Sequence, residues 1–77
     1  MRVRINGEWA EYAARTFEKN GKMYVDAPQL QKAWSLHLME WIEEIHIGYH
    51  YDLGCDVLFG VYTTDGMQAS AVMCFQP

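Results

Sequence analysis

His46, His50, Asp52 and Cys55 lie close together in the chain and carry side chains that bind transition metals or move protons near neutral pH. Spacing decides whether they can act together. From Ile45 to Leu53 apolar and polar residues alternate, which is the signature of a strand. On a strand rising ~3.3 Å per residue, His46 and His50 stand about 13 Å apart on one face. Ligand bonds to zinc are near ~2.1 Å, so the two imidazoles cannot share one ion. A helix would bring them within one turn, but Gly48 and the alternation oppose it. The expectation is solvated histidines and no metal, with His50 and Asp52 as same-face neighbours able to make a pH-sensitive contact.

Other chemistry-bearing residues are sparse. Cys55 and Cys74 form no Cys-x-x-Cys and have no neighbouring Lys or Arg to favour a thiolate, so they read as small buried thiols. No Gly-rich phosphate loop, Gly-x-Ser-x-Gly or His-Glu-x-x-His occurs. The chain is expected to be non-catalytic and to carry no cofactor.

Seventy-seven residues, 51% of them hydrophobic, suffice for a single domain spanning 1–77. All six basic residues (Arg2, Arg4, Arg15, Lys19, Lys22 and Lys32) lie in the first 32 positions against four acids, a balance of +2. Residues 33–77 hold six acids and no base. Phosphate contacts need Lys or Arg, so direct nucleic-acid binding by the C-terminal half is not expected. Glu40, Glu43 and Glu44 fall at the apparent end of a helix, where the helix dipole disfavours negative charge. They form either an ordinary solvated face or an acidic surface for a basic protein partner. No apolar signal region follows Met1, and no apolar run approaches the ~20 residues of a membrane span. A cytoplasmic location away from membranes is the expectation.

The elements that position these residues are announced by their turns. Asn6-Gly7, Asn20-Gly21 and Asp65-Gly66 are each suited to a two-residue type I′ hairpin. Around the second, Phe17 falls opposite Tyr24 and Arg15 opposite Asp26, both favourable cross-strand pairs. Around the third, Leu58 falls opposite Met73 and Phe59 opposite Val72; both faces of this hairpin are apolar, so it is expected to be central in the sheet or covered on both sides. Asp26-Ala27-Pro28-Gln29 resembles a capped helix start, followed by a stripe of Leu30, Trp34, Leu38, Trp41 and Ile45. This predicts a helix to about Glu44 and a strand from Ile45. Ile45, Ile47, Tyr49, Tyr51 and Leu53 would share one strand face, and His46, His50 and Asp52 the other. The fold class is α+β: an antiparallel, hairpin-rich sheet of five or six strands with one helix packed across it, ordered strands, helix, three strands.

Asn20-Gly21-Lys22-Met23-Tyr24-Val25, followed by Leu30, Ala33-Trp34, Leu36 and Trp41, resembles the copper-amine-oxidase N-terminal-like (stalk) domain. In that family an Asn-Gly hairpin ends in an apolar strand and feeds a short helix, and Ile5-Asn6-Gly7 also fits. The likeness covers the first half of the chain. Asp26 stands where the family has Pro, with Pro28 two positions on, and the family is usually exported. The resemblance implies a β-rich binding or scaffold module and brings no catalytic residues.

Eleven aromatic residues and five methionines exceed what one small core absorbs, and such residues are enriched in interface cores. Leu36 and Met39, off the helix stripe, join Glu40, Glu43 and Glu44 as the expected partner-binding face. The chain is expected to be a non-catalytic protein–protein interaction module, acting as a homo-oligomer or on a larger protein with a basic surface. By analogy, phage and mobile-element inhibitors such as anti-CRISPR proteins are small acidic chains that cover basic, nucleic-acid-handling surfaces. The alternative is an oligomer that binds or sequesters a nucleotide-like small ligand at Tyr49, Tyr51, His46 and His50, with Arg15 and Lys22 nearby.

Overall fold

Each of the three Asx-Gly pairs forms a hairpin turn in left-handed backbone, which few other residues enter cheaply. Asn20 has φ 53° and Gly21 φ 77°, and the other two pairs repeat this geometry. A computed structural model of the chain describes residues 1–77. Its elements are β1 (Arg2–Ile5), β2 (Glu8–Glu11), β3 (Arg15–Lys19), β4 (Lys22–Asp26), α1 (Pro28–Leu38), β5 (Glu44–His50), β6 (Cys55–Thr64), β7 (Met67–Met73) and β8 (Phe75–Gln76). They form an α+β fold with two antiparallel sheets. The larger sheet is a five-stranded meander in the order β3-β4-β5-β6-β7, and the smaller has the order β2-β1-β8. The small sheet was not anticipated. The expected registers hold: Phe17 opposes Tyr24, Arg15 opposes Asp26, Leu58 opposes Met73 and Phe59 opposes Val72.

One face of the larger sheet is covered by the helix and the small sheet. Leu30, Trp34, Ile42, Ile45, Leu58 and Val3 are its most deeply buried members, with Val25 and Met73. Gly60 explains how the helix sits so close. A Cβ there would fall 2.7 Å from Cη2 of Trp34 and 3.0 Å from Cδ1 of Ile42, so only glycine lets the indole lie against β6. No further element packs on the opposite face. The last hairpin is therefore neither central nor covered on both sides: β7 is an edge strand, with Val72 exposed.

Four local expectations are corrected. The helix N-cap is Ala27, without a side-chain cap; Asp26 completes β4 and pairs with Arg15 at 3.2 Å. The helix ends at Leu38 and not near Glu44, because Met39 turns left-handed (φ 60°) and its N–H donates to Leu36 O. Burial of Ile42 then requires the chain to fold back over the helix end, leaving Trp41 outside. The strand from Ile45 stops at His50, since Tyr51–Gly54 form the turn into β6, closed by Gly54 N donating to His50 O. Tyr51 and Leu53 consequently leave the face of Ile45 and Ile47. Finally, both thiols are free as expected but exposed and not buried: Cys55 begins β6 beside that turn, and Cys74 lies where the chain passes from β7 to β8. No helix is long and apolar enough to cross a membrane.

Candidate functional site

The segment Met39–Glu43 joins the helix to β5 and contributes to two adjoining surfaces. Two polar side chains on successive turns of α1 fix it. Ile42 N donates to Ser35 Oγ at 2.8 Å, and Gln31 Nε2 donates to Ile42 O at 2.6 Å. Ser35 in turn donates to Gln31 O at 2.7 Å. Ser35 is a buried polar residue, and no buried side-chain polar atom lacks a partner. Backbone groups at a helix end need such partners once water is excluded. The connecting segment is thus held by its backbone and by the buried Ile42 side chain, while Met39 and Trp41 stay exposed.

On one side, Leu36, Met39, Glu40 and Trp41 line an open hollow of about 520 Å³ together with Lys32 and Ser35. Leu36 is 72% exposed, Met39 89% and Trp41 59%. Three large apolar side chains this exposed and this close form a patch unlike singly scattered surface residues. Glu40 is tethered at its rim by Thr64 Oγ1, which donates to its carboxylate at 3.0 Å. Leu36, Met39 and Glu40 from the expected partner face therefore do meet. Trp41 joins them, and sequence reasoning missed it because it fits the helical stripe.

Glu43 and Glu44 are placed elsewhere. The ladder between β4 and β5 consists of two pairs, Met23 with Ile47 and Tyr24 with His46. The ladder ends there, and beside its end a cleft of about 310 Å³ is lined by residues of both strands. Val25, Ala27 and Ile45 supply its apolar lining, Phe17 and Tyr24 its rings, and Arg15, Asp26, Glu43 and Glu44 its charges, with Gln31 contributed by the helix. The acidic residues of the expected single patch are thus divided, Glu40 to the hollow and Glu43 with Glu44 to the cleft.

The open sheet face carries a row of rings across four strands. Phe17 and Tyr24 stack with centroids 5.7 Å apart, Tyr24 meets His46 edge-on at 5.9 Å, and His46 stacks on Phe59 at 5.4 Å. Phe59 also stacks on His50 at 6.3 Å, its ring occupying the space above Gly48, where a Cβ would fall 2.9 Å from Cε2. Desolvation beneath these rings lowers the His46 pKa below 6.5, the Lys22 charge adds to this, and Glu44 opposes it. Of the residues first considered for a small ligand, His46 and His50 share this face, and Lys22 and His46 line one shallow hollow on it. Tyr49 and Tyr51 instead form an edge-on pair at the β5–β6 end, centroids 5.2 Å apart. Asp52 lies exposed in that turn, where His50 Nδ1 accepts from Leu53 N at 3.2 Å. No three of the His, Cys, Asp and Glu side chains converge to hold a metal ion.

No protein-family model, curated protein or solved structure matches this chain.

Proposed function

We propose that the protein is a non-catalytic interaction module that binds a larger protein through Leu36, Met39 and Trp41, with Glu40 at the rim. Met39 carries this reading. It occupies a left-handed position at a helix end, where glycine or asparagine is favoured and other residues lose about 1–2 kcal/mol. Its side chain is also 89% exposed, so burial returns nothing in the free chain. Backbone preference and solvation both oppose methionine there, whereas a flexible, polarisable side chain beside an exposed Trp and Leu suits a contact surface. The absence of any basic residue after Lys32 favours a partner with a basic surface, and an inhibitor that covers a nucleic-acid-handling surface is the specific form of this reading.

Affinity capture from the native host, with wild-type and Met39→Gly proteins as bait, tests it. A basic protein retained by the wild type and lost from the variant is expected. Equal capture by both, or capture by neither, refutes the reading. Sedimentation of the free protein separates a self-association of the same patch from a foreign partner.

A second reading, sequestration of a nucleotide-like ligand, is favoured by the ring row and Lys22 on the open sheet face. A thermal-shift series with nucleotides tests it, and no shift with any of them removes it.

A further inference from the structure

The wedge between β4 and β5 has a chemistry distinct from the apolar hollow. Arg15 and Asp26 pair with each other at its mouth, and the only other ion pair in the chain joins the N-terminus to Glu11. Glu43 and Glu44 therefore bring two unpaired carboxylates to a cleft whose walls include the Phe17 and Tyr24 rings. Gln31 adds an acceptor, because its amide nitrogen is committed to Ile42 O while its side-chain oxygen has no donor. Acceptors and aromatic rings around an apolar lining suit a cation that is flat, weakly hydrated and rich in donors.

We propose that this cleft receives an arginine side chain of the partner protein. The guanidinium lies against the Tyr24 and Phe17 rings and donates to Glu43 and Glu44. Lysine fits less well, since its compact ammonium cannot both spread over a ring and bridge two carboxylates. The inference rests on the protein-binding reading and names one chemical feature of that partner. Geometry links the two surfaces: Gln31 and Ser35, one helical turn apart, border the cleft and the hollow respectively, and Met39–Glu43 passes between them.

The test is a titration of the isotope-labelled protein with N-acetyl-arginine amide, N-acetyl-lysine amide and the uncharged N-acetyl-citrulline amide, followed by NMR. Saturable shifts at Tyr24, Glu44 and the Gln31 side-chain amide are expected with the arginine probe and none with citrulline. The Glu43→Gln/Glu44→Gln variant, altered only at exposed positions, should bind it about tenfold more weakly. No saturable shift, shifts mapping elsewhere, equal binding of the lysine probe, or an unaffected double variant overturns the proposal. Met39→Gly leaves this titration unchanged, so failure of the cleft and failure of the apolar patch are read separately.

Discussion

Ser35 and Ile42, seven positions apart, are joined by a hydrogen bond in which the buried Ile42 N–H donates to the Ser35 hydroxyl at 2.8 Å. This bond turns the chain out of the helix and into β5, and both candidate surfaces depend on it. Ser35→Ala removes the acceptor while the donor stays buried, which costs about 1–3 kcal/mol. Urea denaturation should show a lower midpoint with an unchanged slope. Faster hydrogen exchange at Ile42 should accompany it. An unchanged midpoint would mean that the segment is held by side-chain packing instead.

Met39→Gly should act in the opposite direction. Glycine relieves the left-handed strain at this helix end and removes an apolar side chain that is 89% exposed. A gain of about 1 kcal/mol is expected, or roughly 4–8 °C in Tm for a domain of this size. Calorimetry checks it. Stabilisation combined with loss of partner capture would show methionine retained against stability for the sake of binding.

Much of this architecture was legible because turn chemistry and strand register are local. Asn20-Gly21 determines which residues face each other across β3 and β4, so Phe17 opposite Tyr24 follows from the sequence. The helix end is different. Leu38, Trp41, Ile42 and Ile45 fit a helical period and a helix–turn–strand equally well, and what decides between them is tertiary. Ile42 is drawn into the core and the Ser35 hydroxyl meets its backbone, neither of which any periodicity encodes. Misplacing that end put Glu40, Glu43 and Glu44 on one face, whereas the fold sends them to two. The cleft was invisible for the same reason, since it lies beside the end of the short β4–β5 ladder and takes Glu43 and Glu44 from the chain that leaves the helix early.

Gly60 gives a sharper test of the core. The Cβ of Gly60→Ala would fall within 3.0 Å of Trp34 and at 3.0 Å from Ile42, both of them buried. Neither side chain has room to withdraw from a close-packed interior, so a loss of about 1–3 kcal/mol is expected. Thermal denaturation measures the loss, and Trp34 should report the displaced helix by near-ultraviolet circular dichroism. Unaltered stability would mean that the helix can lift from β6 without cost.

The lowered pKa of His46 makes stability depend on pH with a definite sign. Desolvation on the ring-covered face, aided by Lys22 and opposed by Glu44, disfavours the imidazolium in the folded chain relative to an unfolded value of 6.5. Between the folded pKa and 6.5 the unfolded chain binds more protons, so stability falls as pH drops through that window and is unaffected by His46 above it. His46→Phe keeps a ring between Tyr24 and Phe59 and removes the titration. Melting curves across this range should show the wild type losing stability relative to the variant as pH falls below 6.5, with a constant difference above. A difference that stays constant throughout, or an imidazole midpoint at or above 6.5 by NMR, would show that the row of rings leaves His46 open to water.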